Sequence, residues 1–231
     1  RPFAISWAGP VAKASHHPSP NLRINAMRYD QIDTEFFVRN RARLAELLGA
    51  GAMVIVHAND IMPTNADGVM PFEQNRDFYY LSGVDQEESV LVLFPDAREE
   101  KDREILFVRE TSELISIWEG EKLSKERAQE VSGIKRVQWT KHFDADFHRL
   151  LPQAQSIYLA TNEHLRAQMI VETRNARFIK ECQARYPLHD YRRLATLMNE
   201  IRVIKDDVEI AQLQKAIDIT EAGFRRVLNK F

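Results

Sequence analysis

The sequence predicts an α/β domain with a mixed β-sheet, in which strands mainly pair with their neighbours along the chain and helices cover the faces. Two observations lead to this fold class. Short runs of apolar and β-branched residues recur between residues 52 and 161, which is the pattern of buried strands. Stretches with apolar residues at helical spacing lie before, between and after these runs.

The composition is that of an ordinary globular protein with little net charge. The chain has 231 residues, a length that holds one large domain or one domain with part of a second. Its net charge of −2 favours neither nucleic acid nor a membrane surface, and no apolar run approaches the roughly 20 residues of a membrane span. The single cysteine, Cys182, excludes an intramolecular disulfide and fits a reducing, cytoplasmic location.

Residues 1–26 differ in composition from the rest of the chain. They contain four prolines, three basic residues and no acidic residue. An acid-poor, basic composition is typical of an organellar transit peptide, but the prolines oppose the amphipathic helix that such a peptide forms. A leader, a remnant of expression or a stretch before a start at Met27 are all compatible with it. We expect residues 1–26 not to belong to the fold.

The first half of the domain is predicted as a helix followed by a β-meander. The helix begins at Asp33 or Thr34, either of which can act as its N-cap, and ends at Gly49. A long loop is expected over residues 59–75, and loops of that length are usually functional or lie at interfaces. The runs that predict strands are residues 52–58, 77–83, 88–95 and 104–110.

Helices and strands alternate in the second half. Strands are predicted over residues 136–139 and 156–161. The patterns that predict helices are residues 124–131, 144–151, 163–185 and 190–204, then a last helix that starts with a capping box of Asp206 and Glu209. This last helix carries one apolar stripe, which needs a covering surface: Ile210, Leu213, Ile217, Phe224, Val227 and Leu228.

The cluster His142, Asp144, Asp146 and His148 has two interpretations. On a strand, alternate residues share a face, and these four side chains would form a metal-binding face. On a helix they separate, and the apolar residues around them gather on one side instead. We favour the helix. For the other two candidates, Cys182 and His57, we favour inert packing and a satisfied histidine at a strand end over reactive roles.

Residues 71–97, PFEQNRDFYYLSGVDQEESVLVLFPDA, combine a polar cluster, three aromatic residues and an apolar strand. They resemble the signature of the N-terminal domain of aminopeptidase P (Xaa-Pro aminopeptidase), in the creatinase/prolidase group. The pattern is P-[YF]-x-Q-N-x-[DN]-F-x-Y-[LF]-[ST]-G. It is matched by Pro71, Gln74, Asn75, Asp77, Phe78, Tyr80, Leu81, Ser82 and Gly83.

Two further segments strengthen the resemblance. Residues 116–123, SIWEGEKL, are similar to the family's E-x-W-x-G segment at Trp118 and Gly120. Residues 199–216, NEIRVIKDDVEIAQLQKA, are similar to the family's junction into its catalytic domain. The polar residues of the signature have no base, nucleophile or ligand partner at a workable spacing. We therefore interpret them as ties between a long loop and the sheet, with Phe78 and Tyr80 packed beneath.

The resemblance implies that residues 27–204 form the N-terminal domain and residues 205–231 begin a truncated "pita-bread" catalytic domain. In the family, two Asp, one His and two Glu of that domain hold two metal ions, usually Mn²⁺, which activate a bridging water. None of these five ligands can be placed in this sequence. The resemblance thus implies no catalytic residue and no metal ligand here, and a chain that is inactive alone.

The resemblance also implies a role in substrate access and in oligomer formation. Expected partners are the protein's own catalytic domain, further copies of the chain and short peptides with proline in second position. Trp118 is the candidate to line a substrate cleft, and Asp67 is the candidate for a polar contact between subunits. Each residue could instead stabilise only its own domain. The alternatives for the whole chain are the N-domain of a prolidase and a non-catalytic binding or scaffold module.

Overall fold

A six-stranded mixed sheet forms the centre of the described structure. The computed structural model describes residues 31–66, 68–166 and 170–230, and at Trp118 it describes the backbone alone. The strands are β1 (Ala52–His57), β2 (Val90–Leu93), β3 (Glu104–Val108), β4 (Arg136–Trp139), β5 (Ser156–Leu159) and β6 (Asp190–Arg193). Their order across the sheet is β4-β3-β2-β1-β5-β6.

Strand β2 runs against the other strands of this sheet. It pairs antiparallel with β1 and with β3. The remaining pairs, β1 with β5, β3 with β4 and β5 with β6, are parallel. The mixed α/β fold is confirmed, and the predicted meander holds for β1, β2 and β3. The carboxyl ends of the five parallel strands consequently lie at one end of the sheet.

Eight helices lie in the described part of the chain. They are α1 (Thr34–Leu47), α2 (Arg76–Ser82), α3 (Glu113–Glu119), α4 (Lys125–Ser132), α5 (Phe143–Leu150), α6 (Arg174–Arg185), α7 (Ala195–Val203) and α8 (Asp207–Leu228). The side chain of Asp33 caps α1 by accepting from the N–H of Glu35. Asp206 and Glu209 form the predicted capping box at the start of α8. These caps satisfy N–H groups that have no partner within a helix.

The core has two halves, one on each face of the sheet. Because side chains alternate along a strand, Val54 and Val56 of β1 face one half, while Met53 and Ile55 face the other. The first half is closed by α1, α2, α4 and α7, and the second by α5 and α6. Each fully buried apolar side chain of this size contributes about 1.5–3 kcal/mol relative to exposure. The domain therefore has three layers, with the sheet in the middle.

The prediction of a strand over residues 77–83 is wrong, because this segment forms helix α2. Asn75 caps the helix, since its Oδ1 accepts from the N–H groups of Asp77 and Phe78. Gly83 ends it with a φ of 69°, in the left-handed region. Its last carbonyls, which lack partners within the helix, accept from the side chains of two buried residues of α1, Asn40 and Arg41. Caps and tertiary contacts thus override the strand propensity of the three aromatic residues.

Two predicted helices are shorter than expected. The helix predicted over residues 163–185 begins only at Arg174, where the hydroxyl of Thr173 caps α6 by accepting from the N–H of Ala176. The helix predicted over residues 190–204 is α7, which begins at Ala195. Before it, residues 190–193 extend the sheet as β6 because β5 offers them a free edge. This edge strand contains two arginines and an aspartate, so its sequence lacks the apolar pattern that predicts a strand.

The apolar stripe of α8 lies exposed in the structure. From Ile210 onward every described residue of the helix is exposed, and Phe224 retains 67% of its accessible surface. The start of α8 is held by an ion pair of 2.7 Å between Arg39 and Asp206. Among the described residues, none of the helices has both the length and the apolar character of a membrane span.

Candidate functional site

Both predicted site residues lie in segments that emerge at one end of the sheet. We call this end the carboxyl rim, defined by the described residues within 58–75, 84–89, 109–123 and 160–173. Asp67 belongs to the connection after β1, and Trp118 to the connection after β3. Because β1 and β3 run in the same direction, these connections start from the same end of the sheet. Ligand sites of α/β sheets commonly lie at such an end.

A buried amide, Gln74, organises the centre of the carboxyl rim. Its Nε2 donates to the carbonyls of Val84 (3.1 Å) and Gln86 (3.0 Å). Its Oε1 accepts from the N–H groups of Asn59 (3.3 Å) and Asn75 (2.8 Å). One side chain that is 3% exposed thus joins the loop after β1 to the loop before β2.

The other signature residues fix α2 to α7. Asp77 forms an ion pair with Arg202, whose guanidinium also lies over the ring of Tyr80. The hydroxyl of Tyr80 donates to the carbonyl of Ile201 at 3.2 Å. Burial raises the pKa of Tyr80, so that the phenol stays protonated as a donor. The predicted packing of Phe78 and Tyr80 is confirmed, since both are buried, but of the polar residues only Gln74 ties the long loop, whereas Asp77 ties α2 to α7.

Trp118 lies in the last turn of α3, and its side chain is outside the described part of the structure. The hydroxyl of Ser112 caps this helix by accepting from the N–H of Ile115. Gly120 ends the helix with a φ of 84°. The exposed fractions of Leu114 (66%) and Ile117 (75%) show that α3 presents apolar side chains to its surroundings.

A cluster of charged side chains lies beneath the segment that contains α3. Glu87 accepts from Arg109 (3.1 Å) and from Lys122 (2.5 Å), and Arg109 also pairs with Glu119 at 2.7 Å. Burial alone would raise the pKa of Glu87, but the hydrogen bonds from Lys122 and Arg109 outweigh it and hold the pKa below its usual value. Glu87 is therefore ionised at neutral pH.

Asp67 lies outside the described residues, so its predicted contact is not tested. Its neighbours form a tight turn, in which Pro63 and Val69 pair as an isolated bridge and the side chain of Asn65 accepts from the N–H of Gly68 at 2.6 Å. The loop exposes further apolar side chains, since Val69 is 61% and Met70 is 51% accessible.

A polar cleft of about 980 Å³ opens between the loops after β1 and β5 and one side of α7. Its polar side chains are largely satisfied within the domain. Glu163, for example, binds Arg193, and these hydrogen bonds lower the pKa of Glu163 to about 2. Asn175 contacts His57 (Oδ1 to Nδ1, 3.2 Å). The part of the cleft lining that the structure describes thus presents mainly amides and paired charges.

His57 and Cys182 are both buried packing residues, as interpreted from the sequence. The ring of His57 packs against those of Phe143 and Phe178, and burial lowers its pKa to about 3. Burial likewise raises the pKa of the Cys182 thiol to about 12, so that it stays protonated.

The helical interpretation of the cluster around His142 is confirmed, because residues 143–150 form α5. Asp146 pairs with Arg136 (2.9 Å) and with Arg149 (2.8 Å), and His148 contacts the hydroxyl of Tyr186 at 2.5 Å. Within the described ranges, no three histidine, cysteine, aspartate or glutamate side chains meet as a metal-binding group.

The sequence pattern did not predict the charged cluster around Glu87. Arg109 and Lys122 follow Glu87 by 22 and 35 residues, and neither distance matches a helix or strand period. Only the pairing of β2 with β3 brings these side chains together. The single sequence signal was the acidic character of residues 85–88, without an indication of their partners.

Comparisons of the sequence with known proteins all lead to the same family. Residues 37–158 match the sequence profile of the family described as "Aminopeptidase P, N-terminal domain". The Xaa-Pro aminopeptidase of Escherichia coli is 28% identical over 204 residues, which cover 87% of this chain and 45% of that protein. The Xaa-Pro aminopeptidase of Haemophilus influenzae is 24% identical, over 84% of this chain and 42% of that protein.

Solved structures agree with the sequence comparisons. A structure from Bacillus anthracis aligns with a TM-score of 0.74 and 28% identity, over 84% of this chain and 46% of the other. Escherichia coli aminopeptidase P with the inhibitor Pro-Leu aligns with a TM-score of 0.64 and 28% identity, over 83% and 43% of the two chains. This chain thus spans less than half the length of these relatives.

Proposed function

The chain belongs to the family of the aminopeptidase P N-terminal domain, and on that premise we propose that it is the non-catalytic N-terminal part of a Xaa-Pro aminopeptidase. Such an enzyme removes the N-terminal residue that precedes a proline. The observation that carries the proposal is the match of residues 37–158, together with relatives named Xaa-Pro aminopeptidase that align over most of this chain.

The proposed role of this part is to shape access to the catalytic site, with Trp118 lining the substrate cleft. The exposed apolar side chains of α3 support this role, because Leu114 and Ile117 flank Trp118 on a helix that projects from the carboxyl rim. A rigid apolar wall of this kind favours short peptides that carry a proline ring.

The second proposed role is assembly. The exposed stripe of α8 would pack against the protein's own catalytic domain, and Asp67 would contact another subunit of a homo-oligomer. The exposed apolar residues of the loop that contains Asp67 support an interface there. The proposed location of the assembled enzyme is the cytoplasm.

Two Mn²⁺ ions would be held by the catalytic domain. The residues described in this structure do not fit a two-metal centre, because no group of three ligating side chains occurs among them. In this proposal the ligands belong to the catalytic domain of the whole enzyme.

The proposal is tested with two proteins, this chain alone and the same chain continued by the coding sequence that follows residue 231 in its gene. With Mn²⁺ and a Xaa-Pro tripeptide, we expect turnover by the longer protein and none by the chain alone. Turnover by the chain alone would contradict a non-catalytic role. A longer protein that cleaves only Xaa-Pro dipeptides would indicate a prolidase, and one that cleaves neither would indicate a binding or scaffold module.

The role of Trp118 is tested in the longer protein by Trp118→Ala. Loss of an apolar wall is expected to lower kcat/KM for the tripeptide by about tenfold, the effect of removing apolar contacts from a substrate pocket. Glu113→Gln, which changes an exposed polar side chain on the same helix, is the control and should change kcat/KM less than threefold. Equal kinetics of Trp118→Ala and the parent protein would remove Trp118 from the substrate cleft.

A further inference from the structure

Among its described side chains, the segment that contains α3 has no buried apolar residue. The chain leaves the core at Val108, which is buried, and returns to it at Leu123, which is 3% exposed. Of the side chains that the structure describes between these two residues, all are exposed or half-buried. The described side chains of this segment therefore contribute little apolar burial to the position of α3, although its caps keep it helical.

The carboxylate of Glu87 ties the two ends of this segment together. Arg109, the first residue after β3, and Lys122, the residue before Leu123, both donate to the same oxygen, Oε1. Arg109 also pairs with Glu119, which is adjacent to Trp118 in the chain. Next to Glu87, Gln86 accepts from the N–H of Leu123 at 2.7 Å and fixes the point of return.

The burial of these groups makes the ties effective. The exposed fractions of the side chains are 8% for Glu87, 13% for Lys122 and 21% for Arg109. Charge-assisted hydrogen bonds shielded from water are stronger and more directional than exposed ion pairs. A buried carboxylate shared by two cations therefore restricts both ends of the segment at once.

We propose that Glu87 is a positioning residue, which holds α3, and with it the backbone at Trp118, in place at the carboxyl rim through Arg109 and Lys122. The proposal rests on the proposed function in so far as Trp118 contacts substrate. Its structural part, that Glu87 holds α3, stands independently of any activity. Glu87 itself touches no substrate in this proposal and acts only through the segment that it ties.

Hydrogen exchange in this chain tests the structural part. Glu87→Gln keeps the shape of the side chain and removes its charge. We expect amide exchange in residues 113–119 to become faster by about tenfold, with unchanged exchange in β1 and α1, because a local tie is lost. Glu88→Gln is the matched control, since Glu88 is 47% exposed and lies 3.6 Å from Arg109, and it should leave α3 unchanged. Unchanged exchange of α3 in Glu87→Gln would overturn the proposal.

Kinetics of the longer protein test the consequence for substrate. We expect Glu87→Gln to raise KM for a Xaa-Pro tripeptide by about fivefold with little change in kcat, as loss of ground-state binding does. Glu87→Asp keeps the negative charge, and its KM should therefore lie close to that of the parent protein. In the Trp118→Ala background, Glu87→Gln should raise KM little further, because both changes act on the same contact between Trp118 and substrate.

The outcomes separate this proposal from the proposed function. A full effect of Glu87→Gln in the Trp118→Ala background would overturn positioning through Trp118, even if each residue matters alone. If Trp118→Ala leaves the kinetics unchanged, the proposed substrate contact fails, and the exchange experiment still decides whether Glu87 holds α3.

Discussion

One side chain, Gln74, satisfies four main-chain groups in a place that water does not reach. The amide nitrogen of Gln74 donates twice and its oxygen accepts twice. Glutamate at this position would lack the donors and lysine would lack the acceptor, so neither could satisfy all four main-chain groups. The spacing of the signature around Gln74 could be recognised in the sequence. The identity of its four partners could not, since main-chain groups leave no trace in the residue pattern.

His57 makes the stability of the domain sensitive to pH. Its pKa in the folded chain is lowered to about 3, mainly by burial, whereas an unfolded histidine titrates near 6.5. The unfolded state therefore binds more protons between these values, and the stabilisation that is complete above pH 6.5 is lost as the pH falls. Between pH 6.5 and 5 we expect the free energy of unfolding to drop by about 1.5 kcal/mol through His57 alone.

Urea unfolding of the parent chain and of His57→Leu over this pH range measures the drop. Leucine keeps an apolar side chain next to Phe178 and removes the titrating group. The variant should lack the pH-dependent loss, and parallel pH curves for the two proteins would contradict the assignment.

At the scale of elements, some helices were predicted correctly because a side-chain cap marks their first turn. Helices α1, α4 and α8 begin with side-chain caps, and these stand in the sequence directly before the periodic segment. The wrong strand at α2 arose because its aromatic run has high strand propensity, while its helical state depends on contacts from α1. Strand β6 has exposed charged residues, and only the free edge of β5 makes it a strand.

The turn that ends α2 requires glycine for two reasons, which a pair of variants separates. Gly83 has a φ of 69°, and a Cβ there would lie 2.4 Å from Phe37, a buried ring. Gly51 has a nearly equal φ of 68°, but its added Cβ would meet only Gln155, an exposed side chain that can move.

We expect Gly51→Ala to lower the free energy of unfolding by about 1–2 kcal/mol, the cost of a left-handed residue with a Cβ. Gly83→Ala should cost about 1–3 kcal/mol more, because the ring of Phe37 must shift in a close-packed core. Chemical denaturation measures both values. Equal losses would mean that the core around Phe37 accommodates the methyl group.

At the scale of the whole molecule, the predicted boundary between residues 204 and 205 divides the chain by burial. Among the residues that the structure describes, Ile201 is the last buried one, and α8 has no buried residue. A chain that ends after Glu209 should therefore keep the midpoint temperature of the full chain within about 2 °C, since surface changes alter stability by little. A chain that ends after Leu194 is the control and should lose its cooperative transition, because it lacks Met198 and Ile201 of α7.

Calorimetry of the three chains decides whether α8 belongs to this core. A decrease of more than about 5 °C for the chain that ends after Glu209 would correspond to roughly 1–2.5 kcal/mol and would move the boundary toward the C-terminus.

Strand β1 lies between β2 and β5 in the sheet, and this position affects the order in which the strands can pair during synthesis. Strand β2 follows β1 after 32 residues, but β5 arrives only at residue 156. While the chain is synthesised from its N-terminus, one edge of β1 stays without its partner over the intervening hundred or so residues. That edge is Met-Val-Ile-Val, a sequence prone to intermolecular pairing. A pause in translation before residue 156 would thus leave one edge of this apolar strand open to neighbouring chains.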